Sequence, residues 1–244
     1  MNISRLCQIG LVLLLICSCA TAYIDQRQKS THFKKGVFLN LEKQDSKTLW
    51  TFLKMRISTE WPSWPEWIND PQNSEESKSL PQKRNESAAL HLTHINHSTV
   101  LIQANGINIL TDPIYSERCS PVSFAGPKRV RKPGIEFSDL PTIDYVLISH
   151  DHYDHLDTET IELLVKRDNP TFYVGLGVGK HFPAKAKVIE MDWWETQAAS
   201  EKLKINFVPV QHFSGRGLFD RNTTLWGGFF IQIADQKIYF GGDT

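Results

Sequence analysis

The sequence is short of cysteine, of net charge and of long apolar runs, and each shortage excludes something. Its 244 residues hold four cysteines. Cys7, Cys17 and Cys19 crowd the N-terminal end, which leaves Cys119 as the one thiol of the body. A single thiol builds no internal disulfide framework. Such a cysteine is most often a small packed hydrophobe, and nothing in its loop marks Cys119 as a nucleophile. Basic and acidic residues balance at 27 each. Nothing in that balance argues for nucleic acid, which demands a basic face, and no nucleic-acid partner is expected. The one continuous apolar run near the start, Ile9 to Cys17, is too short to span a bilayer as a helix. Behind the single charge of Arg5 it reads as an export signal occupying residues 1–22. Two processing readings stay open. Cleavage after Ala20-Thr21-Ala22 releases a soluble chain from Tyr23, and the lipobox-like Ile16-Cys17-Ser18-Cys19 leaves a lipidated Cys19. A phosphate loop is missing too. Gly175-Leu176-Gly177-Val178-Gly179-Lys180 has the wrong spacing, and His181 stands where a serine or threonine is needed. It reads as a strand-to-helix turn, with His181 at the surface.

What is present is concentrated. Asp144 to Ile148 reads as a short β-branched strand, and Thr158 to about Lys166 as a helix capped by Asp157 with Glu159 in its first turn. Between them runs Ser149-His150-Asp151-His152-Tyr153-Asp154-His155-Leu156-Asp157. Divalent metals take neutral imidazole nitrogen and carboxylate oxygen at about 2.0–2.2 Å. His150 and His152 are two residues apart and point to one side of an extended loop. Asp154 and His155 can turn toward a second ion. Two ions about 3.5–4 Å apart can share a hydroxide and clamp a phosphoryl or carbonyl oxygen. The plain alternative, a solvated His-rich loop, fits poorly with so dense a set of imidazoles and carboxylates.

Further runs accompany this one: Leu110-Thr111-Asp112-Pro113-Ile114, Ser120 to Arg129, Asp192-Trp193-Trp194-Glu195, Gln211-His212-Phe213-Ser214-Gly215-Arg216, Leu225 to Phe229 and Gly241-Gly242-Asp243-Thr244. With them the His-x-His-x-Asp-His loop resembles the metallo-β-lactamase superfamily, in the branch of the N-acylphosphatidylethanolamine-hydrolysing phospholipases D and their bacterial relatives. The resemblance runs from about His32 to the end. It implies an α/β fold, the N-terminal half of an αββα sandwich of two mixed sheets with helices outside. It implies two zinc ions, with His150, His152 and His212 on the first, Asp154 and His155 on the second, and Asp243 bridging. A further histidine and a second αβ half are expected beyond Thr244, so the chain is read as C-terminally incomplete and its second site as one ligand short. Asp154 and Asp243 are the expected catalytic carboxylates. The implied activity is a phosphodiesterase of phospholipase D type, acting on N-acylphosphatidylethanolamine-like lipids through a metal-bridging hydroxide. The expected partners are a phospholipid or other phosphodiester and a membrane surface. The expected location is the bacterial envelope, as an outer-membrane lipoprotein or in the periplasm. A lactonase or other hydrolase on the same fold, or a non-catalytic envelope protein, is the alternative.

The remaining chain divides into an N-terminal extension and polar linker over 23–87 and a metal-binding domain over 88–244. Leu49, Phe52, Leu53 and Ile57 have helical spacing, with Asp45 or Ser46 as cap. Trp61, Trp64 and Trp67, set among prolines, read either as a patch touching lipid headgroups or as a loop packed on the core. Asn69 to Ser87 reads as a flexible linker. Ala89 to Ile95, Thr99 to Ala104 and Ile107 to Leu110 read as strands, the last two joined by the Asn105-Gly106 turn. Later strands are expected at Thr171 to Val174, Leu203 to Val210, Trp226 to Ile233 and Lys237 to Phe240. Asp112 either orients a metal ligand or caps a turn. His97 either donates to such a ligand or is a satisfied structural histidine, and the turn is expected to bend at Asn96, where the family places glycine. Lys128 and Arg129, with Arg131 and Lys132, form a basic cluster that either meets a phosphate or is a solvated loop.

Overall fold

The structure, a computed structural model, describes residues 26–42, 49–60, 65, 67–68 and 80–244, without the side chains of Leu49 and Phe52. The export segment with its two processing readings, the helix cap at Asp45 or Ser46, Trp61 and Trp64 lie outside these residues.

The metal-loop strand explains the architecture. Val146, Leu147 and Ile148 are apolar without alternation, and a strand pattern of that kind needs cover on both faces. The structure supplies it. Strand β6 (Tyr145–Ile148) lies inside a six-stranded sheet in the order β3-β4-β5-β6-β7-β8. The strands are β3 (His91–Asn96), β4 (Thr99–Ala104), β5 (Ile107–Thr111), β7 (Thr171–Gly175) and β8 (Lys187–Met191). The first three pair antiparallel, and β5 to β8 run parallel. Leu147 and Tyr173 enter one core, while Val146, Ile148, Phe172 and Val174 enter another. That split follows from the two-residue alternation of side chains along a strand.

The outer core is closed by helix α2 (Thr158–Arg167). Thr160, Ile161, Leu164 and Val165 are its buried stripe, the spacing expected of one helix face. Asp157 accepts from the Thr160 amide at the helix start. The inner core lies against a second sheet, β12-β11-β10-β9. It comprises β9 (Thr196–Ala198), β10 (Leu203–Val208), β11 (Gly228–Ile233) and β12 (Gln236–Phe240). Phe207, Trp226, Phe229 and Ile231 fill the space between the sheets. This second sheet is antiparallel throughout its described strands, not mixed. Short links join β9 to β10 and β11 to β12, and the longer loop 209–227 joins β10 to β11; antiparallel pairing needs no helical crossover. A hairpin of β1 (Phe33–Lys34) and β2 (Val37–Phe38) tucks Phe38 into the inner core. Helix α1 (Leu49–Ser58) forms as its spacing predicts, but Trp50 and Ile57 stay exposed.

Two expectations change. The described end of the linker is docked. Arg84 forms a two-pronged ion pair with Asp144, and the buried Asn85 amide donates to the carbonyls of Ala89 and Gln103. Polar composition hid this, because the Asp144 carboxylate and the Gln103 carbonyl are brought to these residues only by folding. The bend between β3 and β4 falls on His97 (φ 35°) and not on Asn96. Asn96 is buried instead, donating to the Ile114 carbonyl and accepting from Thr99 Oγ1. At the next hairpin, positive φ at both Asn105 and Gly106 matches the two-residue turn the sequence predicts.

Candidate metal centre

Parallel strands end in carbonyl-side loops that form a crevice, and such crevices hold ligands in open α/β sheets. Here β5 ends at Asp112 and its neighbour β6 at Ser149-His150. Loops after β10 and β12 bring His212 and Asp243 from the second sheet, and the β3–β4 turn brings His97.

Among the described residues, two sets of donor atoms converge. The first is His150, His152 and His212. His150 Nε2 lies 2.8 Å from His152 Nδ1, and His152 Nδ1 lies 3.3 Å from His212 Nε2. Donors about 2.0–2.1 Å from a tetrahedral ion sit roughly 3.3 Å from one another, so three neutral imidazoles arranged this way fit a divalent metal. The second set is His97, His155 and Asp243. Asp154 lies alongside, its Oδ2 3.5 Å from His97 Nε2. Asp243 faces both sets, with Oδ1 3.3 Å from His155 and Oδ2 3.7 Å from His212. Gly242 makes that approach possible. It has φ 60°, and a Cβ there would sit 2.5 Å from the Ser149 Cβ.

Asp112 ties the two sets together. It is buried, and it accepts from the Ser149 amide (2.8 Å), from Ser149 Oγ (2.6 Å) and from His155 Nδ1 (2.7 Å). Ser149 Oγ spends its hydrogen on Asp112, so it accepts from His150 Nδ1 at 2.9 Å. Nδ1 is therefore the protonated nitrogen of His150, and Nδ1 of His155 likewise faces the carboxylate as donor. Both rings turn Nε2 toward the crevice.

Electrostatics separate the two sets. Burial, reinforced by the neighbouring imidazoles, holds His150 far below the usual histidine range. Burial also lowers His152 and takes His212 down to about 4. His155 moves the other way. Burial opposes its charge, but hydrogen bonds to Asp112 and Asp243 and the surrounding carboxylates hold it up to about 10. Contact with His97 leads the causes that bring Asp154 to about 2. Without metal, the first set is already neutral at pH 7 and the second carries a proton on His155. Loading both sets at pH 7 is therefore expected to release about one proton per chain. Titration calorimetry in buffers of different ionisation enthalpy checks this, and uptake without any proton release contradicts it. In the metal-free chain, acid costs stability. Below about 6.5 the unfolded chain binds protons that His212 refuses when folded, and the loss grows down to about pH 4.

Asp151, between the two loop histidines, points away from the crevice. It accepts from the Gly215 amide and from Thr224 Oγ1, both at 2.7 Å, and His181 Nε2 lies 3.4 Å away. Arg216 stacks over Tyr153 and donates to the carbonyls of Asp151 and Leu156. These two residues clasp the His212 loop to the metal loop. Sequence reasoning assigned them no role, although alternation already turned Asp151 opposite to its histidine neighbours. His181 is partly buried against this clasp and is not a plain surface residue. Of the Asp192-Trp193-Trp194 run, Trp193 packs in the inner core and donates to the Trp226 carbonyl, whereas Trp194 is exposed.

A cavity of about 600 Å³ opens beside the second set, lined by His97, Ile114, Cys119, Arg131, His152 and Tyr153 among others. Lys128 and Arg129 also line it. Lys128 pairs with Glu117, and Arg129 donates to the carbonyls of Ile114 and Ser116, so both also brace the loop. Burial pushes the Cys119 thiol up, away from a reactive thiolate.

Comparison with known proteins places this site in a family. Residues 107–244 match the family described as the beta-lactamase superfamily domain. An uncharacterised protein of Mycobacterium tuberculosis is 36% identical over 230 residues, covering 89% of this chain and 59% of that protein. An N-acyl-phosphatidylethanolamine-hydrolyzing phospholipase D of Caenorhabditis elegans is 36% identical over 169 residues, covering 64% of this chain and 47% of that protein. The chain thus spans about half to three-fifths of the length of these relatives. Among solved structures, a metallo hydrolase from the archaeon Ignicoccus hospitalis aligns with a TM-score of 0.45 at 21% identity, covering 64% of this chain and 61% of that one. By the family match over its C-terminal half and more, the chain belongs to the metallo-β-lactamase superfamily.

Proposed function

We propose that this chain carries the two-zinc centre of a hydrolase that cleaves phosphodiesters in the manner of a phospholipase D, with N-acylphosphatidylethanolamine-like lipids as substrate. The observation that carries the reading is Asp243, whose two oxygens face the two donor sets at 3.3 and 3.7 Å. A carboxylate placed so would serve a cation in each set at one reacting centre. Bound there, the ions would supply Lewis acidity to the scissile ester and acidify water toward neutrality.

The chain's own residues do the rest. Asp112 and Ser149 fix His150 and His155 with Nε2 presented. The clasp of Asp151 and Arg216 keeps His212 in register with them. The adjoining cavity sets Arg131 among apolar Ile114 and Val130 and the Tyr153 ring, which suits an anionic group borne on an apolar body. The relative in Caenorhabditis elegans, named for hydrolysing N-acylphosphatidylethanolamine, supports the lipid assignment.

The test is a substrate panel on the zinc-loaded protein. It compares N-acylphosphatidylethanolamine vesicles, a soluble aryl phosphodiester, a lactone and a β-lactam. Release of N-acylethanolamine, abolished by chelation and restored by zinc, is expected. Turnover of the lactone or β-lactam alone would overturn the phosphodiesterase reading.

A further inference from the structure

The second donor set contains a residue that the loop motif does not supply. His97 sits in the turn between β3 and β4, far from the metal loop in sequence. Its Nε2 is 3.2 Å from His155 Nε2 and 3.5 Å from Asp154 Oδ2. His155 Nε2 is in turn 3.3 Å from Asp243 Oδ1 and 4.0 Å from Asp154 Oδ2. Donors on a tetrahedral ion at about 2.0–2.2 Å lie roughly 3.3–3.6 Å apart. Three donor atoms, from His97, His155 and Asp243, therefore converge within 4.8 Å of one another, with the His97–His155 and His155–Asp243 separations close to those such an ion imposes and Asp154 alongside.

The backbone gives a second, independent observation. His97 has φ 35°. It is the first residue of a two-residue hairpin loop, and Ser98 after it does not share the positive φ. A positive φ at that position alone is the turn pattern that selects glycine. Histidine there is strained, and strain of this kind persists at positions where the side chain serves a site. The turn itself does not need the imidazole. Asn96 and Thr99 already brace it through the Ile114 and Asp112 carbonyls.

We propose that His97 is a ligand of the second metal ion, in a site with Asp154, His155 and Asp243. The proposal rests on the two-ion reading above and adds a residue to it. It adds an imidazole donor to the second site and makes the β3–β4 turn part of the metal centre. It also sets the ion at the mouth of the cavity that His97 and Asp154 line, so that an anionic group bound beside Arg131 lies next to it.

The test is metal content after zinc loading and desalting, with cobalt loading as a spectroscopic parallel. His97→Gly removes the ligand and relieves the positive φ. His97→Asn also tolerates the backbone while losing the imidazole. The wild-type chain is expected to hold two ions and each variant one, with the second ion bound more than about 100-fold more weakly. That exceeds the 10–100-fold typical of losing an outer partner of a ligand. The metal-free His97→Gly chain is expected to melt no lower than wild type, which separates a lost ligand from a damaged fold. His94→Ala, on the neighbouring strand, is expected to keep both ions. Two ions in the His97 variants overturn this inference and leave the two-ion centre standing. Fewer than two in the wild type overturn the centre and the inference with it.

Discussion

Asp112→Ala is expected to weaken metal binding at both donor sets and to lower the melting temperature by roughly 6–20 °C. The carboxylate is buried and accepts three hydrogen bonds, from the Ser149 amide, the Ser149 hydroxyl and His155 Nδ1. Removing it strands these donors in a dry interior. Breaking a buried charged contact by deleting one partner costs about 3–5 kcal/mol, and a chain of this size loses roughly 2–4 °C per kcal/mol. The effect on metal is separate. Without Asp112 the Ser149 hydroxyl no longer has to accept from His150, and His155 loses its anchor, so neither ring is held with Nε2 toward the crevice. Each ion is expected to bind about 10–100-fold more weakly. Asp112 has φ 33°, which asparagine tolerates. Asp112→Asn therefore keeps backbone and volume, and should recover part of the stability but not the metal affinity. Calorimetry and elemental analysis on both variants check this. Unchanged metal content in both would mean that Asp112 serves the turn alone.

The second large effect is expected at His150. It is buried, its ring lies within 4.6 Å of the His155, His152 and His212 rings, and its Nε2 is central to the three-histidine set. His150→Ala leaves two donors where the first ion needs three. The chain is expected to retain the ion of the second set and lose the other. Hydrolysis of the best phosphodiester in the panel is expected to fall at least about 10³-fold, equal to about 4 kcal/mol of barrier. His152→Ala removes a donor from the same ion at a half-buried position and should reproduce the loss with less damage to the core. Activity within a few-fold of wild type in both variants would sink the proposed centre, because no reaction routed through the first set survives without it.

The two experiments divide the site by cause. His150 acts on the ion it would touch, whereas Asp112 acts only through other side chains, yet on both ions. A stability loss without selective metal loss at Asp112, or a selective metal loss without stability loss at His150, separates scaffold from ligand.

The sequence by itself determined the elements whose information is local. The metal loop is legible because a β-branched strand, a dense His/Asp run and an Asp-capped helix follow one another in adjacent positions. The Asn105-Gly106 hairpin is legible because only a few residue types tolerate its backbone. The partition of β6 between two cores follows from alternation once the strand is known. Strands β8 and β9 were not legible. Lys187–Met191 is exposed at its start, and Thr196–Ala198 is only three residues long, so neither shows enough periodicity to stand out. Three things only the tertiary structure decided. The antiparallel order of the second sheet depends on which strands meet. The double duty of Asp112 depends on β5 lying beside β6, which sets a residue 37 positions upstream against Ser149. The place of His97 opposite His155 depends on a β3–β4 turn 58 positions away. Ligand sets gathered from separate strands are written in contacts, not spacing, because a metal selects donors by distance in space and is indifferent to how much chain lies between them.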